Sequence, residues 1–114
     1  MTRLLFICLG NIIRSPLAEN LFRYEAEQSG VDQNYAVDSA GTSAWHIGEP
    51  PDPRMRKTAQ LHGINYSGSA RQIRADDFEK FDWIIAMDSS NKRDLMDMTQ
   101  SAEQQAKIRL MREF

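Results

Sequence analysis

The chain has 114 residues, a formal net charge of −2, 41% hydrophobic and 26% charged residues, and one cysteine. That length suits one domain, and the weak charge excludes a general attraction to nucleic acid or to an acidic membrane face, so any affinity for anions must be local. One cysteine excludes an internal disulfide framework and a cysteine-rich zinc site, and a cytoplasmic protein is expected.

Thr2-Arg3-Leu4-Leu5-Phe6-Ile7 faintly resembles a signal peptide, but Gly10, Asn11 and Arg14 break the apolar run too early. No run approaches the roughly 20 apolar residues of a spanning helix, so no membrane partner is expected. Leu4 to Cys8 is continuously apolar, as a strand buried on both faces requires. From Ser15 to about Ser29 the pattern becomes helical. Leu17, Asn20, Leu21 and Tyr24 fall near one face, with Glu19, Arg23 and Glu27 on another. Ser15 is the expected N-cap, Pro16 suits the first helical position, and Gly30 is the expected stop. Glu19 stands four residues after Ser15, so no capping box is matched.

Tyr35 to Ala40 reads as a second strand, and Gly41 to Pro51 as a long loop carrying Trp45 and His46. A helix is predicted from Asp52 to His62, ended by Gly63. Arg71 to Phe81 reads as a connector with a short helix around Asp76–Lys80. Asp82 to Met87 is a third buried strand, Ser89 to about Met98 a further helix, and Lys107 to Met111 a fourth, shorter strand. This alternation predicts an α/β fold: a four-stranded parallel sheet with helices on both faces. Ligands of such sheets sit beyond the carboxyl ends of the strands, where Cys8 lies.

The run Cys8-Leu9-Gly10-Asn11-Ile12-Ile13-Arg14-Ser15-Pro16 carries the chemistry. Alone, a cysteine ending a buried strand reads as an inert core residue. Five residues to an arginine, a glycine and a Ser-Pro helix start reverse that reading. A phosphoryl group in transfer spreads charge over three equatorial oxygens and needs preorganised donors. Curled backbone N–H groups supply them, Gly10 permits unusual backbone angles, and Asn11 tolerates a left-handed conformation. Arg14 adds a planar fork for two phosphate oxygens. Helix N-termini and cations favour a thiolate, so Cys8 is expected to react in that form, with Ser15 donating a hydrogen bond to it.

This run resembles the signature of low-molecular-weight protein tyrosine phosphatases. Asp38-Ser39-Ala40-Gly41-Thr42, Gly48-Glu49-Pro50-Pro51-Asp52, Ala70-Arg71-Gln72 and Phe81-Asp82-Trp83-Ile84-Ile85-Ala86-Met87-Asp88 also resemble family segments, in family order. The resemblance implies a phosphatase acting on phosphotyrosine proteins or small aryl phosphates through a phosphocysteine on Cys8. Leu9, Gly10, Asn11, Ile12, Ile13 and Arg14 would bind the phosphoryl group, and inorganic phosphate or other oxyanions would inhibit. Asn11 would brace the loop through Ser39, Ser15 would assist the thiolate, and Trp45 and His46 would wall the substrate pocket. No cofactor and no metal are implied.

Two departures stand out. Ile13 occupies the place where the family commonly has a second cysteine, so a reversible disulfide on an oxidised Cys8 is not expected. The family also places its general acid, in an Asp-Pro-aromatic segment, beyond the position of Phe114. Residues 1–114 are therefore expected to be one phosphatase-like domain truncated at its C-terminus, with apolar sheet surface left uncovered. Asp52-Pro53 is not a substitute, since by segment order it opens the second helix, and Asp88 has a family counterpart distinct from the acid. The alternative functions are a slow or non-catalytic phosphate-binding module and, less favoured for want of further cysteines, an arsenate reductase relative. His62 is read as a helix-end cation, Arg54, Arg56 and Lys57 as a solvated face, and Asp76, Asp77 and Glu79 as helix-start charges. Met87 is read as core, and Met96, Met98 and Met111 as core or partly buried surface.

Overall fold

The computed structural model describes residues 1–11, 14–43, 46–50 and 52–113. The apolar N-terminus forms β1 (Thr2–Cys8), which lies at the centre of one parallel sheet with β2 (Tyr35–Gly41), β3 (Trp83–Ala86) and β4 (Ile108–Leu110). The strand order is β2-β1-β3-β4, the four-stranded α/β sheet that the alternating pattern predicts. Pairing sets Cys8 beside Gly41, and Ile7 beside both Ala40 and Ala86.

Side chains of β1 alternate between two cores, as strand geometry requires. Leu5 and Ile7 pack with Ile84, Ala86 and Ile108 against Phe78 of α3 (Asp77–Lys80) and Leu95 of α4 (Ser89–Met98). Leu4, Phe6 and Ile85 face the other way, against Ala18 and Phe22 of α1 (Arg14–Gln28). Helices thus cover both faces, and each fully buried Leu, Ile or Phe contributes about 1.5–3 kcal/mol. Beside Tyr35, Trp83 and Met111 the α1 face opens into an apolar groove of about 470 Å³. Met87 and Met96 pack against the two cores, whereas Met98 and Met111 are exposed.

Helix ends follow local chemistry. Asp52 caps α2 (Pro53–Leu61), accepting from the Arg54 and Met55 N–H groups with Pro53 in the first turn, and Gly63 (φ 75°) follows its end. Gly30 (φ 73°) follows α1 in the same way. Two features differ from expectation. Helix α5 (Ala102–Ala106) was not anticipated, although Ser101 and Gln104 have capping-box spacing: Ser101 accepts from the Gln104 N–H, while Gln104 reaches one residue past the cap to accept from the Gln100 N–H. On α1 the buried set is Ser15, Pro16, Glu19, Asn20 and Ala26, while Leu21 is exposed. Glu19 faces inward because its carboxylate is fully engaged there, by Ser39 Oγ at 2.6 Å and Arg23 Nη2 at 2.6 Å. Among the described residues no helix is long and apolar enough to cross a membrane.

Candidate active site

Cys8 ends β1 on the face that Leu4 and Phe6 share, so its side chain meets the start of α1. It is 4% exposed, and its sulfur accepts from the Asn11 backbone N–H at 3.2 Å. Ser15 Oγ lies 3.0 Å from the same sulfur. Asn11 Nδ2 donates to that hydroxyl at 2.9 Å, which leaves the hydroxyl proton free for Cys8. Ala40 O, at 3.5 Å, is the weaker alternative acceptor. Two polar groups thus converge on one sulfur.

Ser15 therefore does something other than the expected capping. Helix α1 begins at Arg14, so Ser15 lies inside the first turn with its hydroxyl committed to Cys8 and Asn11. Among the described residues of the loop the positive φ falls on Asn11 (55°), not on Gly10, and the Asn11 side chain holds that conformation through Ser15. Its Oδ1 accepts from the Arg71 N–H at 2.9 Å. The expected Asn11–Ser39 contact is not made, because Ser39 donates to Glu19 instead.

The loop is pressed against the exit of β2. The Thr42 N–H donates to Cys8 O and the Ser43 N–H to Leu9 O, at 3.0 and 2.9 Å. A Cβ on Gly41 would stand 2.6 Å from Leu9 O and 3.1 Å from Asn11 N, so only glycine permits this approach without a shift. From the other neighbour, the Met87 N–H donates to Ile7 O, which brings the end of β3 alongside. There Asp88 Oδ2 accepts from Arg14 Nη1 at 2.7 Å. The Arg14 guanidinium, and then the Asn91 N–H, hold the Asp88 carboxyl below its ordinary range.

Tyr66 is 4% exposed, and burial, with the charges of Asp52, Glu19 and Cys8 around it, pushes its phenol up to about 12. Asn20 secures this stretch, bonding Ser67 O and Ser67 N at 3.2 Å each. His46, expected in the pocket wall, pairs with Glu49 three residues on. The exposed Leu9 and the Gly10 backbone lie in the loop as expected, whereas Ile12, Ile13 and Trp45 lie outside the described residues. Among the described residues no group of three His, Cys, Asp or Glu side chains could hold a metal ion.

The structure joins Cys8, Asn11 and Ser15 by hydrogen bonds and pairs Arg14 with Asp88, while sequence reasoning missed Asp88, Glu19, Tyr66, Arg71 and Asp77 as members of the surrounding network. Glu19 meets Ser39 across 20 residues, Arg71 meets Asn11 across 60, and Asp88 meets Arg14 across 74, so only the fold juxtaposes these pairs.

A low molecular weight phosphotyrosine protein phosphatase family model matches residues 3–114. A phosphatase of that description from Schizosaccharomyces pombe is 43% identical over 113 residues, covering 98% of this chain and 72% of the relative. The Homo sapiens protein of the same description is 52% identical over 91 residues, covering 80% of this chain and 58% of its own length. A solved protein tyrosine phosphatase from Entamoeba histolytica superposes with a TM-score of 0.95 at 38% identity, covering all of this chain and 72% of that one. With sequence and fold in agreement, the chain belongs to the low molecular weight phosphotyrosine protein phosphatases, whose members hydrolyse phosphotyrosine substrates.

Proposed function

We propose that Cys8 is the nucleophile of this phosphatase. Its sulfur attacks phosphorus in line, the S–P bond forms as the P–O(aryl) bond breaks, and the electron pair leaves on the aryl oxygen. Water then attacks the phosphocysteine, releasing inorganic phosphate and restoring the thiolate. Arg14 and the backbone N–H groups of residues 9 to 14 hold the equatorial oxygens. Ser15 stabilises the departing thiolate of the second step, and Asn11 keeps the loop curled. His46 and Trp45 border the aryl group. Phosphotyrosine proteins and small aryl phosphates are the substrates, and phosphate-like oxyanions are competitive inhibitors. The cytoplasm, where a lone thiol stays reduced, is its compartment.

The observation that carries this reading is the pair of donors, Ser15 Oγ and the Asn11 N–H, converging on Cys8 Sγ. An inert core cysteine has no use for two donors. Hydrolysis of p-nitrophenyl phosphate and of a phosphotyrosine peptide, compared with Cys8→Ser, tests it. Nitrophenolate departs without protonation, so this substrate isolates what Cys8 and Arg14 do. Turnover that disappears in Cys8→Ser is expected. Tight phosphate binding with no turnover would identify a binding module instead.

A further inference from the structure

Arg71 lies outside the nucleophile loop, and its backbone N–H donates to Asn11 Oδ1 at 2.9 Å. Asn11 is 2% exposed and holds the loop's left-handed turn, so the place of this donor sets the place of the loop. Arg71 is itself fixed from two directions. Its backbone runs parallel beside the end of β2, with the Gly41 N–H donating to Arg71 O and the Ile73 N–H to Gly41 O, each at 2.8 Å. Its guanidinium is clamped by carboxylates. Nε donates to Asp38 Oδ2 at 3.2 Å, while Nη1 and Nη2 reach the two oxygens of Asp77 at 2.9 and 3.2 Å.

Asp77 is fully buried, and Asp77 Oδ2 also accepts from the Arg74 N–H at 2.7 Å. A buried Arg–Asp pair adds little stability over an apolar pair of equal volume, because desolvation offsets the attraction. What a bidentate, fully satisfied pair does supply is one defined position for the backbone that carries it. Here that backbone carries the donor to Asn11.

We propose that Arg71 and Asp77 are positioning residues of the phosphatase reaction, acting on Cys8 through Asn11 and Ser15. The path runs Asp77 carboxylate, Arg71 guanidinium, Arg71 N–H, Asn11 amide, Ser15 hydroxyl, Cys8 sulfur; the step within Arg71 is covalent, and each link between residues is a hydrogen bond of 3.2 Å or less. Neither residue touches substrate. This inference rests on Cys8 being the nucleophile.

A double-mutant cycle on the 114-residue chain tests it. Asp77→Asn keeps the shape and removes the charge that clamps Arg71, and Asn11→Gly removes the amide while tolerating the left-handed backbone. Asp77→Asn is expected to lower kcat/KM for p-nitrophenyl phosphate about tenfold in the parent chain, and less than twofold in the Asn11→Gly background, because coupled residues are not additive. The Kd for inorganic phosphate should weaken with the same non-additivity. Arg71→Lys, which keeps the charge and loses the fork, should give a smaller loss with the same dependence on Asn11, and it replaces Asp77→Asn if that variant does not fold. Equal losses in both backgrounds, or no loss in the parent, overturn the proposal, leaving the pair as scaffold. A parent chain that binds phosphate without turnover refutes the phosphatase reading alone, and the Kd cycle then decides the positioning. A parent chain that does neither overturns both.

Discussion

Asp88 holds Arg14 with one carboxylate oxygen, Oδ2 to Nη1 at 2.7 Å, and caps helix α4 with the other, Oδ1 accepting from the Asn91 N–H at 2.8 Å. The two residues lie 74 positions apart and meet because β1 and β3 are neighbours in the sheet. β1 leads to α1 on one face and β3 to α4 on the other, so the pair spans the crevice where such sheets bind ligands. The contact uses one N–H group of Arg14, and the rest of the guanidinium fork remains for phosphate oxygens.

Substitution separates the two tasks of Asp88. Asp88→Asn retains an acceptor for the Asn91 N–H, whereas Asp88→Ala also loses the helix cap, at a cost of about 0.5–2 kcal/mol or roughly 2–10 °C in Tm. Both release Arg14, and kcat/KM is expected to fall about tenfold in each, since Arg14 must then be ordered during the reaction. Thermal melts and p-nitrophenyl phosphate kinetics on the two variants check this; a full-sized activity loss confined to Asp88→Ala would tie the effect to the cap. The carboxyl is held below its ordinary range, so its contribution is present above the unfolded value of about 3.9 and is lost as pH falls below that. The Tm difference between the parent and Asp88→Asn should stay constant above about pH 5 and close towards pH 3.

Local chemistry made much of this molecule legible. The buried run Leu4 to Cys8, the Ser-Pro start, the Asp52 cap and Gly63 are signals a few residues wide, and each mapped onto an element or its end. The contacts among Cys8, Asn11 and Ser15 are local for the same reason, inside one stretch of sequence. Glu19 was misread because a charged residue looks solvent-facing until Ser39, 20 residues on, supplies a buried partner. Asp77 read as a helix-start charge, yet it is wholly buried because Arg71 and the Arg74 N–H satisfy both oxygens. Long-range polar pairing leaves no periodicity in the sequence, so the support of the loop could not be read there.

Ser15 is fully buried, and its hydroxyl, 3.0 Å from Cys8 Sγ, is placed to donate a hydrogen bond to it. Ser15→Ala removes that donor and strands Asn11 Nδ2, whose lost acceptor costs about 1–3 kcal/mol. We expect kcat for p-nitrophenyl phosphate to fall by roughly 10- to 100-fold, since removing a donor from a developing or departing anion weakens transition-state stabilisation. Ser15→Thr keeps the hydroxyl and should recover a part of the loss. Equal kcat in Ser15→Ala and the parent would remove Ser15 from the mechanism.

Tyr66 predicts alkaline behaviour. Its phenol rises to about 12, chiefly through burial, so between about pH 10 and 12 the unfolded state has released a proton that the folded state retains. Stability from this group is complete below pH 10 and declines as pH rises towards 12. Among the three tyrosines, Tyr66→Phe should remove a late step from the ultraviolet tyrosinate titration and flatten the alkaline fall in Tm. An unchanged late step would place the raised phenol elsewhere.

The last prediction concerns oxidation. Peroxide takes a thiolate to sulfenic acid, and a neighbouring thiol normally captures that species as a disulfide that reductants reverse. Cys8 is the only cysteine of this sequence, so the loop that follows it holds no second thiol. The sulfenic acid therefore meets only further peroxide, and passes to sulfinic acid, which thiols do not reduce. Brief peroxide treatment followed by thiol should restore activity in part. Longer treatment should abolish it permanently, with two oxygens added at Cys8 by mass spectrometry. Saturating inorganic phosphate should slow the loss, because it occupies the loop through which peroxide reaches the buried Cys8. Complete recovery after prolonged oxidation would sink this account, since it would require a protecting partner for Cys8 that the 114 residues do not contain.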